Sequence, residues 1–335
     1  MKFLAKTMAA VSAVAALVAV SGTSSAQQRP TLSFAMPGVP PVFVNVQALV
    51  ANQEKLFEKH GVNVNLRPFD TGAAAARAVV TGDIDLSITP TGLLVNMMSN
   101  ADVDLVVIYG YEKPTWRLVS TDPAVKCADL KGQPIAVDAP GGARSIALGQ
   151  LLRSCNLTLK DVQEVGMSSN GPAALVAGQI KHAVLHLDEA PTVERISGKK
   201  LNIVLVITDV APLSHYTALA TTRQKVAKQR AAYVGLLAGL IEATDFMSNP
   251  ANADRVAQAA GPTGREPVDA KRALEGYIAM GFWPKAAHGV DQKNIEEVIA
   301  VQKKVGGIRP EATPVSYSRF VDTSVFDDAL KLVKK

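Results

Sequence analysis

Cysteine, tryptophan and long apolar runs are all scarce in this sequence, and each shortage closes off a class of answer. The 335 residues include two cysteines and two tryptophans, and aromatic residues make up 5%. With so few aromatics, and with basic residues scattered along the chain, the footprint of a nucleic-acid-binding protein is missing. After residue 30 no segment is apolar for the roughly twenty residues that a membrane span requires, and the longest candidates, such as 202–208, have the length of a strand. Catalytic signatures are also absent: there is no G-x-S-x-G, no Walker loop, no G-x-G-x-x-G after a strand and no H-E-x-x-H. Asp83 and Asp85 are spaced like a carboxylate pair, but they precede a predicted strand and are read as turn formers.

What is present begins at the N-terminus. Lys2 and Lys6 precede an apolar run from Met8 to Val20, and Ser24-Ser25-Ala26 follows, the pattern of a secretory signal peptide cut after Ala26. No cysteine stands there to carry a lipid, so export to the periplasm as a free protein is expected. Removing Lys2 and Lys6 leaves 33 basic against 30 acidic residues, a mild positive balance that favours an anionic solute only weakly. The mature length suggests about two domains. In an exporting context Cys127 and Cys155 either form one disulfide or stay as buried thiols, since spacing does not supply the geometry.

From Thr31 onward, short apolar strands alternate with helical stretches, which predicts an α/β protein. Strands are expected at 32–35, 62–68, 86–88, 105–109, 117–120, 135–137, 163–165, 183–187, 203–207 and 216–220, and the chain after Lys225 reads as helices. Ala78-Val79-Val80-Thr81-Gly82-Asp83-Ile84 is echoed by Ala174-Leu175-Val176-Ala177-Gly178-Gln179-Ile180, so two halves share a plan: a helix ending at a glycine, then a strand opened by a buried isoleucine. Tyr109 to Trp116, with Gly110, Pro114 and three aromatic residues, reads as a hinge crossing, and a second crossing is expected near 209–222. The expected division is 27–112 with 218–335 as domain 1, its C-terminal part helical, and 113–217 as domain 2.

Ligands in open α/β sheets bind beyond the carboxyl ends of the strands. Asp138 to Ser145 is such a strand end: Gly141, Gly142 and Ala143 allow close backbone approach, the helix start offers unpaired N–H groups, and Arg144 adds a charge. Gly72 and Ala73 repeat the arrangement in the first half, and Asn170 marks a third helix start. The loop carrying Met36, Pro37 and Gly38 should reach the cleft, and with Tyr109 and Trp116 could wall an organic ligand. His182 and His186 would chelate a metal on a helix; on a strand they stand about 13 Å apart, too far to share an ion. His186, Asp188 and Glu189 remain candidates for polar contacts.

Gly82-Asp83-Ile84-Asp85, the Asp129-Leu130-Lys131-Gly132 strand entry and Ala177-Gly178-Gln179-Ile180, in this order and behind a signal peptide, resemble the periplasmic solute-binding components of ABC importers of the nitrate, sulfonate, taurine and thiamine-precursor type. The resemblance implies a type II periplasmic-binding fold with the ligand held by helix-start amides and hydroxyls. On this chain it points to Gly72, Ala73, Thr89, Thr91, Gly141, Gly142, Ala143, Ser145 and His186. It implies a small anion or organic acid as ligand, a permease of the inner membrane as partner, a monomer, no cofactor and no catalysis. Lys181 departs from the family's usual aspartate, and the cysteine motifs of the family's synthase and desulfinase branches are missing. The competing readings are an enzyme using His186 with Asp188 or Glu189, and a binding module that reports to a membrane sensor.

Overall fold

The structure, a computed structural model, describes residues 29–334 apart from Asp102, Glu112 and residues 212–214; the signal peptide expected over 1–26 lies outside the described residues. Ten strands form: β1 (Thr31–Pro37), β2 (Asn63–Phe69), β3 (Leu86–Pro90), β4 (Val106–Tyr111), β5 (Trp116–Ser120), β6 (Pro134–Val137), β7 (Gln163–Gly166), β8 (His182–His186), β9 (Asn202–Val206) and β10 (Thr217–Thr221). Each falls within two residues of a segment predicted from apolar patterning. The central strands are buried along their whole length, as β3 and β10 show, because helices cover both faces of the sheet.

Two five-stranded sheets result, ordered β2-β1-β3-β10-β4 and β7-β6-β8-β5-β9. They are built alike. Three parallel strands lie together in each, and the fourth runs antiparallel and arrives from a crossing: β10 between β3 and β4 in the first sheet, β5 between β8 and β9 in the second. The chain leaves the first sheet after Tyr111 and enters the second at Trp116, then returns through a short helix, Ile207–Val210, to reach β10. The echo seen in the sequence has a structural counterpart. The helix Gly72–Thr81 ends at Gly82 with φ +90°, and Gly178 after the helix Gly171–Val176 has φ +69°. The left-handed residue turns each chain into its strand, and Ile84 and Ile180 are buried where those strands begin.

After β10 the chain is helical except for short links. The long helix Arg223–Ser248 packs so tightly on the first half that the Cα of Gly239 meets Phe57 directly, where a β-carbon would stand 2.7 Å from the ring. The helix Pro267–Ala279 reaches the second half as well: Asp269 pairs with Arg195, and Tyr277 meets Asp188, both partners lying on or just before the helix Glu189–Ser197. The C-terminal segment thus contacts both sheets.

Cys127 and Cys155 are joined in a disulfide that closes a loop of 28 residues in sequence separation, tying the β6 entry to the end of the helix Ala143–Arg153. Closing a loop of that length constrains the unfolded chain by about 3.6 kcal/mol. Serine at both positions is therefore expected to lower the melting temperature by several degrees; an unchanged melting curve would show that the bridge contributes nothing.

Candidate functional site

The carboxyl ends of the parallel strands of both sheets face one another across a small cavity of about 40 Å³. From the first half its wall takes Pro37 and Gly38 after β1, Asp70, Thr71 and Gly72 after β2, and Ile88 and Pro90 of β3; from the second half, Asp138 after β6, Ser168 and Ser169 after β7, and His186 at the end of β8. Trp116, Tyr216 and Thr217, at the two crossings, complete it. Ser168 bridges the halves directly, its hydroxyl donating to the Asp70 carbonyl at 2.9 Å.

Among the described residues, two hydroxyls in this wall have no partner. Ser169 Oγ and Thr217 Oγ1 are buried and unbonded, and they come from opposite halves. A buried polar group left unpaired costs about 1–3 kcal/mol, so such groups mark a place where a ligand or water belongs. Near them lies the start of the helix Gly72–Thr81, where the Thr71 hydroxyl caps the Ala74 amide at 3.1 Å. The first amides of that helix have no intrahelical acceptor and carry its positive dipole end.

The other candidate charges are already spent within the protein. The Asp138 carboxylate accepts from the amides of Ala143 at 2.8 Å and Arg144 at 3.1 Å, so the expected anion cradle at the helix Ala143–Arg153 is filled by the chain's own anion. Gly142 is required for this fit, because a β-carbon there would meet the Asp138 carboxylate at 2.5 Å. Arg144, 3% exposed, forms a two-pronged pair with Glu189 at 2.9 Å and also donates to the Val184 carbonyl, while its guanidinium lies 5.4 Å from the Trp116 ring. Burial pushes the Glu189 carboxyl up, but Arg144 beside it outweighs that and holds it at about 2. Asp188 pairs with Arg265 and accepts from the Tyr277 hydroxyl at 2.8 Å. Its carboxyl is raised by burial in spite of Arg265.

His186 is packed against the Trp116 ring at 4.0 Å, with Nδ1 2.7 Å from the Thr115 hydroxyl. Burial drives its imidazole down to about 3, so it is neutral at physiological pH. His215, on the return crossing, joins Thr91 Oγ1 and the Gly289 carbonyl, each at 2.7 Å, and burial lowers it to about 4. Since a carbonyl can only accept, Nε2 of the neutral ring carries the proton and Nδ1 accepts from Thr91.

Of the residues singled out in the sequence, the cavity wall brings together Pro37, Gly38, Gly72, Trp116, Ala143, Arg144 and His186. The others lie elsewhere. Met36 is in the core, and Tyr109 is buried with its hydroxyl on the Pro284 carbonyl and its ring stacked on Phe326. Thr89 points away from Ile88 and Pro90, as alternation along a strand demands, and bonds Ser87 at 2.8 Å. Thr91 is held by His215, and Ser145 accepts from the Gly141 amide at 3.0 Å. Gly141 and Asn170 are exposed, and Ala73 and Gly142 are outside the wall. Ser169 and Thr217 were missed. The signal for Ser169 was its position after a strand end, one residue before the Asn170 read as a cap; Thr217 had no local signal.

The cavity shares Pro90, Trp116, Ala143 and Tyr216 with a second, larger one of about 300 Å³. That space lies between the helix Ala143–Arg153 of the second half and the helix Gln292–Lys304, which packs on the first.

The sequence profile of the NMT1-like family matches residues 35–261, about two thirds of the chain. The chain belongs to the NMT1-like family. The matched stretch contains every residue of the small cavity, whereas the helix Gln292–Lys304 beside the larger one lies beyond it. A relative from Brucella abortus, named only as a binding protein, is 26% identical over 206 residues, 60% of this chain and 63% of its own length; the chain thus spans less than two thirds of the curated relatives it matches. Among solved structures, an alkanesulfonate-binding protein of Xanthomonas axonopodis pv. citri bound to MOPS superposes with a TM-score of 0.68 at 18% identity, over 87% of this chain and 98% of its own. A periplasmic nitrate-binding protein of Synechocystis reaches 0.72 at 12% identity, over 92% and 90%. These likenesses establish the periplasmic-binding-protein fold for this NMT1-like chain, with two α/β halves.

Proposed function

We propose that this NMT1-like protein is the periplasmic solute-binding component of an ABC importer, capturing a small organic anion between two lobes and presenting it to a permease of the inner membrane. The lobes are 27–112 with 218–335, and 113–217, and the protein works as a monomer exported by a cleaved signal peptide. The observation that carries this reading is the pair of buried, unpartnered hydroxyls, Ser169 and Thr217, contributed by opposite halves to one cavity wall. A ligand bonded to both is held only when the halves are together, so its binding favours the closed form. The solved structures named for alkanesulfonate and nitrate binding share this fold, and the relatives are named as binding proteins.

The side-chain charges around the cavity favour a sulfonate over a carboxylate. Arg144 is neutralised by Glu189, Arg265 by Asp188, and Asp138 occupies one helix start. What remains in the wall is hydroxyls, the amides of the Gly72 helix start and, among the side-chain charges, the Asp70 carboxylate; the ligand's anionic head is met by the hydroxyls and amides. Such donors suit a delocalised, weakly basic oxyanion, whereas a carboxylate is best met by a guanidinium fork. The same geometry supports capture without turnover: His186 is packed, and both neighbouring carboxylates, Asp188 and Glu189, are paired with arginines.

Calorimetric titration with sulfonates, carboxylates and nitrate tests this, with the ligand recovered afterwards and checked for chemical change. Ser169→Ala and Thr217→Val are each expected to weaken sulfonate binding about tenfold, the value of one hydrogen bond to a charged group, without loss of thermal stability. Full affinity in both variants, or a consumed ligand, would overturn the proposal.

A further inference from the structure

We infer that the larger cavity receives the apolar body of the solute whose charged head the small cavity holds, so that the ligand is an amphiphilic oxyanion. This rests on the capture reading above and extends it to the other end of the molecule. The small cavity, at about 40 Å³, has room for little more than a compact head group. A ligand with any organic body must therefore extend beyond it, and Pro90, Trp116, Ala143 and Tyr216 are walls that it shares with the larger space.

That space is lined mainly by apolar side chains, with Gln150, Arg153, His215, Glu297 and Gln302 as its polar members. Ile146 and Ala147 line it from the second half, Val298 and Val301 from the helix Gln292–Lys304, and Val210 from the return crossing. Its volume of about 300 Å³ is about twice that of the 150 Å³ apolar cavity known to take up benzene. One or two aromatic rings, or an aliphatic chain of similar bulk, fit it. Trp116 and Tyr216, which line both cavities, meet edge to face at 5.3 Å, and Trp116 also packs against His186 and Arg144. A head in the small cavity and a body in the larger one would lie on either side of this pair. Since the body compartment is also walled from both halves, filling it adds apolar burial that exists only in the closed form.

Affinities for methanesulfonate, butanesulfonate, octanesulfonate and naphthalene-2-sulfonate, which keep one head and vary the body, test this on the mature protein. Binding should tighten by about fourfold for each methylene buried, which amounts to about a hundredfold once three to four of the seven methylenes that octanesulfonate adds to methanesulfonate are buried. Ile146→Trp and Val301→Trp fill the compartment from opposite walls; both side chains are only half-buried and border the space. Each variant should bring octanesulfonate and naphthalene-2-sulfonate back towards the methanesulfonate value while leaving methanesulfonate unchanged, and if one variant fails to fold the other carries the test. Equal affinity across the series, or octanesulfonate binding untouched by a folded filling variant, would overturn the inference and leave anion capture standing. Failure of every sulfonate to bind would instead remove the capture reading on which it rests.

Discussion

Arg144→Ala is expected to destabilise the protein by about 3–5 kcal/mol, an effect read in urea or thermal unfolding before any ligand is added. Removing the guanidinium leaves Glu189, 5% exposed, as a buried anion without its counter-charge, and breaking one side of a buried pair carries a cost of that order. Glu189→Ala should do comparable damage from the other side, and it also removes the acceptor of the His186 amide, bonded at 2.7 Å. Replacing both by apolar residues of similar volume, Arg144→Met with Glu189→Leu, should recover most of the loss, because neither charge is then stranded. The double variant separates a structural ion pair from a ligand contact: stability returns while sulfonate affinity stays within a few-fold. A single variant within 1 kcal/mol of the parent would show that the pair is not structural.

Between pH 7.5 and 5 the two buried histidines His186 and His215 should cost the protein about 4 kcal/mol of stability. His186 and His215 titrate at about 3 and about 4 in the folded protein against 6.5 when exposed, burial being the main cause for both. Each imidazole therefore binds a proton more readily in the unfolded chain, and stability falls as the pH drops below 6.5. At pH 5 the exposed ring is almost fully protonated and the buried one is not, which amounts to about 2 kcal/mol per histidine. Glu189 adds a loss of the same sign only lower, below its ordinary value of 4.5, outside this window. Urea titrations at pH 7.5 and pH 5 measure the effect, to which His182, also lowered by burial, adds in the same direction and Asp188, raised by burial, in the opposite one; His186→Gln should remove about 2 kcal/mol of the difference between the two pH values. A parent protein equally stable at both values would mean that both rings bind their protons in the folded protein as readily as in the unfolded chain, and a loss of half the size would mean that one does.

The architecture was legible because it rests on local signals. Apolar runs bounded by turns marked all ten strands, and the repeated Val-Thr-Gly-Asp-Ile and Val-Ala-Gly-Gln-Ile segments announced that the two sheets share a plan. The site was only half legible, for a physical reason. Sequence can indicate that a glycine-rich helix start or an arginine stands at a strand end, but not whether the chain's own Asp138 and Glu189 have already claimed them. Those partners lie 5 and 45 residues from the groups they bind, and only the tertiary fold sets them against each other. Thr217 illustrates the opposite failure. Nothing in its neighbourhood distinguishes it from any β-strand threonine, and its importance comes from lying beside Pro90 at the meeting of the two halves.

The way the two sheets exchange strands also sets an order of assembly. All five strands of the second sheet lie in one uninterrupted stretch, from Trp116 to Val206, so that half can complete itself as soon as the stretch is available. The first sheet cannot: β4 is joined to β3 only through β10, which comes more than a hundred residues after β4 begins. The pairing is non-local and slow to close. A chain emerging N-terminus first therefore leaves its first sheet incomplete until β10 arrives, after every strand of the inner lobe.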